Sequence, residues 1–111
     1  MKARRIDLSD YLLPHLEGPD GKVPAYRMRG SLAELCFCQE LNHTGVGLLE
    51  ANTLAQTILD APGKTLLLSE MDWSRLAAAC QQHKGFTRHD IELVRRVLEA
   101  PQVDVAETPK K

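Results

Sequence analysis

The chain has 111 residues, which suits one domain around one core. Hydrophobic residues are 43% of it and aromatics only 5%, so that core has to be built from aliphatic side chains. A formal net charge of −1 excludes a global field drawing the chain to nucleic acid or to an anionic membrane.

The charge is unevenly spread: residues 31–72 carry one Lys or Arg against six Asp and Glu, and both flanks are mildly basic. Basic residues open the chain, but no apolar run long enough for a secretory signal follows. Nor does any stretch approach the roughly 20 apolar residues of a membrane span. Three cysteines, an odd number, read as reduced thiols in a cytoplasm.

In chain order, Arg5-Ile6-Asp7-Leu8 and Lys22–Met28 alternate polar and apolar residues around Asp20-Gly21, a tight-turn signal. They predict an irregular hairpin over residues 1–30, with a short helical piece at Ser9–Leu13 and Pro24 confining the second strand to an edge. Ser31-Leu32-Ala33-Glu34 matches a capping box and predicts a helix from Leu32 to Leu41. After the break at Asn42–Gly47, a second helix is expected over Leu48–Asp60, with Leu48, Ala51, Ala55, Ile58 and Leu59 inward. Ala61-Pro62-Gly63 ends it.

Thr65–Leu68 reads as a buried extended segment. Ser69 then caps a third helix, Glu70–His83, that turns Trp73, Leu76, Ala77 and Cys80 inward and stops at Gly85. Thr87 with Asp90 caps a fourth, Arg88–Glu99, with Ile91, Val94, Val97 and Leu98 inward. Gln102–Val105 is a second extended segment, placed to pair with the first as a short ladder. The whole is a mostly helical α+β domain over residues 1–106: a hairpin-like part, 1–30, a helical core, 31–106, and a frayed tail at 107–111.

Candidate chemistry is sparse. Cys36, Cys38, Cys80 and His83 (with His43) supply donors enough for zinc. On a helix running through Leu41, however, Cys36 and Cys38 diverge, and Cys80 falls in an apolar stripe, so no metal site is expected. Cys38 and His43 could be weighed as a nucleophile and base, yet no oxyanion loop or orienting carboxylate accompanies them, and no catalytic residue or cofactor is expected. The third and fourth helices with the His83–Phe86 turn are similar to a helix-turn-helix, in which Arg88 and His89 would open the recognition helix and Arg95 and Arg96 would reach phosphates. Glu92, spaced to pair with Arg88 or Arg95, argues against that reading, as does the absence of a basic stripe.

The Asp20-Gly21-Lys22 turn, the Ser31–Leu41 segment, Leu54-Ala55-x-x-Ile58, Leu68-x-x-x-Asp72 and Arg96-Val97-Leu98-Glu99-Ala100 follow one another in an order that resembles small structural-module proteins of tailed phages and prophages. That resemblance implies an assembly or accessory protein working through protein contacts in the host cytoplasm or the virion. The expected function is therefore a non-enzymatic protein–protein interaction module whose partner is another protein or a second copy, with no membrane and no nucleic acid. The alternative is a small DNA-binding regulator.

Overall fold

The computed structural model describes residues 2–104, which form the expected mostly helical α+β fold. Residues 105–111, including Val105 and the expected frayed tail, lie outside the described residues. At the centre of the sheet is β1 (Lys2–Asp7). It does not form the expected hairpin with Lys22–Met28. Instead, Tyr11–Leu12 (β2) pairs antiparallel with Ala25–Tyr26 (β3) as a two-residue ladder, where a helical piece was expected. The Asp20-Gly21 turn sits within the connecting loop, Gly21 having a φ of 78°. The two extended segments form, as Thr65–Ser69 (β4) and Gln102–Asp104 (β5), but not as a pair. Both flank β1 antiparallel in the order β4-β1-β5, Arg4 standing opposite Leu68 on one side and Gln102 on the other.

The first helix, α1, spans Met28–Leu35, so it starts and stops earlier than the capping-box reading predicts. Ser31 lies inside it. The Met28 amide is held by Asp10 Oδ1 at 2.9 Å, so the cap comes from a residue far back in the chain. Past Leu35 the chain makes a 3₁₀ turn at Gln39–Leu41, with Cys38 immediately before it in an extended conformation. Thr44 caps the long helix α2 (Gly45–Asp60) by accepting from the Gly47 amide at 3.0 Å. Ala51, Leu54, Ala55 and Ile58 face the core; Leu48 and Leu59, expected inside, are exposed.

At the far end of α2 the last carbonyls meet the Arg29 guanidinium from α1. Its Nη1 donates to Ile58 O, Leu59 O and Ala61 O at 2.9, 3.2 and 2.7 Å, and its Nη2 donates to Gly63 O at 2.5 Å. One side chain thus satisfies the orphan acceptors of a helix end and fixes the turn feeding β4.

Ser69 caps α3 (Glu70–Gln82) through the Asp72 amide, and the Thr87–Asp90 capping box forms as the sequence predicts. The box encloses a 3₁₀ turn at Arg88–Asp90, and α4 itself is only Ile91–Leu98. Its inward face is Leu93 and Val97, continued by Ala100, and not the expected Ile91 and Leu98, which are exposed. Three polar anchors set this rotation: Tyr26 OH donates to Asp90 Oδ1 at 2.5 Å, Trp73 Nε1 to Val97 O at 2.8 Å, and Arg96 Nη1 to Ser9 O at 2.7 Å. Trp73 is therefore half-buried, its ring lying 4.0 Å beneath the Arg4 guanidinium. A single core joins Ile6, Met28, Leu32, Ile58, Leu66, Leu68, Leu76, Leu93 and Val97.

Candidate functional site

Because α1 ends at Leu35, the helical argument that Cys36 and Cys38 diverge does not apply, and turn geometry decides where each thiol goes. Cys36 turns into the core, its Sγ 3.8 Å from Leu32 O, and Cys80 is buried likewise from α3. Burial pushes both thiols up to about 12, so they are protonated and inert at neutral pH.

Cys38 goes elsewhere. Among the described residues, one group of three or more His, Cys, Asp or Glu brings its ligand atoms together: Cys38, Glu40 and His83, all within 4.8 Å of one another. Two of the five cysteine and histidine donors read from the sequence are thus brought together, and Cys36, Cys80 and His43 are not part of the group. Glu40 comes from the 3₁₀ turn and was missed, because no helical or strand periodicity places a turn residue next to the end of α3. The signal available was only that the acidic Glu40 follows Cys38 by two residues.

Glu40 Oε1 lies 3.0 Å from His83 Nδ1, and the Lys84 amide donates to Glu40 Oε2 at 3.1 Å. These two bonds hold the Glu40 carboxyl down at about 2. The His83 ring is braced edge-on by Phe86, with centroids 4.7 Å apart. Burial pushes the Cys38 thiol up, and the Leu41 amide at the end of the turn pulls it partly back. Cys38 and His83 line a cleft of about 430 Å³ together with Tyr26, Glu34, Phe37 and Phe86 among others. His43 takes no part: its Nε2 is 2.8 Å from Cys36 O and it borders a separate cleft, so the Cys38–His43 pair weighed above is not formed.

The cationic set of the DNA-binding alternative is largely engaged by the fold. Arg96 is the least available, its side chain 15% exposed. It pairs with Glu92 at 2.9 Å, donates to Asp7 O and Ser9 O, and lies over the Tyr11 ring. Arg95 pairs with the same Glu92 at 3.3 Å. The His89 ring stacks on His15 at a centroid distance of 4.9 Å, and its carbonyl accepts from Tyr11 OH. Arg88 is exposed but lies in the 3₁₀ turn, before α4 begins. A helix of this length, with its guanidinia turned onto its own carboxylate and the N-terminal strand, offers little to a phosphate backbone.

Among the described residues a different surface is open. β4 lies at the sheet edge, and the bond from the Leu8 amide to Lys64 O fixes which of its backbone groups face β1. By the alternation of an antiparallel ladder, Leu66 and Leu68 bond to β1, and the amides and carbonyls of Thr65 and Leu67 face away from it. The Leu67 side chain stands on the sheet face opposite the core and is 51% exposed. A groove of about 640 Å³ runs between this strand and Thr53, Gln56, Thr57 and Asp60 of α2. Among the described residues no helix is long and apolar enough to cross a membrane. Comparison with protein-family models, curated proteins and solved structures finds no match for the chain.

Proposed function

We propose that this chain is a non-enzymatic protein-interaction module that assembles with its own copies by extending its sheet through β4. The observation that carries the reading is the open β4 edge. Natural edge strands are blunted by Lys, Pro, bulges or a covering element, whereas Thr65-Leu66-Leu67-Leu68-Ser69 has no charge and no proline. The segment is also complementary to itself. Two copies related by a two-fold axis at Leu67 would set Leu67 against Leu67, Thr65 against Ser69 and Lys64 against Glu70. Outward backbone groups are then matched with outward ones, and each flank carries an opposite-charge pair. In the terms of the sequence resemblance, the module would serve phage or prophage assembly.

Sedimentation of the purified chain over a concentration series tests this. A concentration-dependent dimer is expected, with Leu67→Lys monomeric because it sets like charges opposite each other across the axis. The fold should be retained, since Leu67 points away from the core. A wild type that stays monomeric at about 100 μM, well above the micromolar range of weak specific association, would count against the reading. So would a Leu67→Lys dimer of unchanged affinity.

A further inference from the structure

We propose that Cys38, Glu40 and His83 bind a thiophilic divalent transition-metal ion of the zinc class. The expectation of no metal site rested on a helix that the chain does not form at Cys38, and the observed turn supplies three donors of three kinds. A four-coordinate ion with bonds of about 2.0–2.3 Å holds its ligands roughly 3.3–3.8 Å apart. The three donor atoms already lie within 4.8 Å, and the imidazole–carboxylate pair is at 3.0 Å, so small side-chain rotations close the set.

The donors are also braced as metal ligands usually are. The Lys84 amide orients the second Glu40 oxygen and Phe86 fixes the imidazole plane, so little freedom is lost on binding. One sulfur, one nitrogen and one oxygen suit zinc or cobalt and not calcium or magnesium, which prefer all-oxygen shells. A thiolate and a carboxylate together neutralise a divalent charge, with the imidazole neutral. Binding releases the Cys38 thiol proton to solvent, and the Nδ1 proton that His83 donates to the ionised Glu40 passes through solvent to Nε2, which leaves the imidazole neutral with Nδ1 free for the ion. The fourth position faces the cleft containing Tyr26, Glu34 and Phe37, where a water or an external ligand atom can enter. Three protein ligands with an open position distinguish this arrangement from a closed structural site.

Titration of the full chain with cobalt(II), followed by its near-ultraviolet absorption, tests the proposal. One equivalent should produce a thiolate-to-cobalt charge-transfer band that zinc then removes. Cys38→Ser should abolish the band and weaken zinc binding by about 100-fold, a first-ligand loss at the upper end of what even supporting residues cost. Cys80→Ala should leave both unchanged. Far-ultraviolet circular dichroism of each variant checks the fold. Should Cys38→Ser fail to fold, Glu40→Gln must still weaken binding by about tenfold. The proposal fails if the wild type gives no charge-transfer band, if the band survives in Cys38→Ser, or if Glu40→Gln binds zinc as the wild type does.

Discussion

Arg29→Ala is expected to lower the unfolding free energy by about 2–4 kcal/mol, out of proportion to a half-exposed side chain. Its guanidinium meets four carbonyls, three of them at or just beyond the C-terminus of α2, where no amide is left to serve them. Hydrogen bonds from a charged donor contribute about 1.5–3 kcal/mol each, but water can reach some of the freed carbonyls, so the sum is not lost. Arg29→Lys should recover less than half of the deficit. A single ammonium carries the charge to the helix end without the fork that spans from Ile58 to Gly63. Urea melts of the three proteins decide this. A change below about 0.5 kcal/mol for Ala, or a Lys variant equal to wild type, would show that solvent replaces the guanidinium without loss.

The second large effect separates two faces of α4. Leu93→Ala should cost about 2–5 kcal/mol through lost burial and the cavity it leaves, since Leu93 is only 2% exposed. Ile91→Ala, at a residue 55% exposed, should stay within about 0.5 kcal/mol of wild type. Paired denaturant melts measure both. The opposite ranking would restore the helix face read from the sequence and would rotate α4 by about a quarter to half a turn relative to its neighbours.

That face shows where sequence reasoning stops. Ile91-Glu92-Leu93-Val94-Arg95-Arg96-Val97-Leu98 carries two apolar stripes, Ile91–Val94–Leu98 and Leu93–Val97, and both have helical spacing. Periodicity cannot choose between them. The choice is made by Tyr26, Trp73 and Ser9, residues remote in sequence that hold Asp90, Val97 and Arg96. The same holds at α1, where Ser31 has a good local capping pattern and Asp10 supplies the actual cap. Local chemistry was legible where its partners are local: Ser69 before α3, the Thr87–Asp90 box, and the strand that follows Gly63. The Cys38–Glu40–His83 group was half-legible. Its cysteine and histidine stood out, but a helix assumed to run through Leu41 pointed the thiol the wrong way and hid the carboxylate.

The place of β1 between β4 and β5 also sets the order in which the protein can be made. β1 leaves the ribosome before either partner exists, and Ile6 and Leu8 have no sheet to join until Thr65–Ser69 follows. The second edge closes only after Gln102–Asp104 is synthesised. Contacts of such long sequence separation are slow to form, so α1 and α2 can pack on each other while the central strand is still unpaired. The charges of Lys2, Arg4, Arg5 and Asp7 interleave with its apolar residues, and they would keep that waiting strand from pairing with its copies on neighbouring nascent chains.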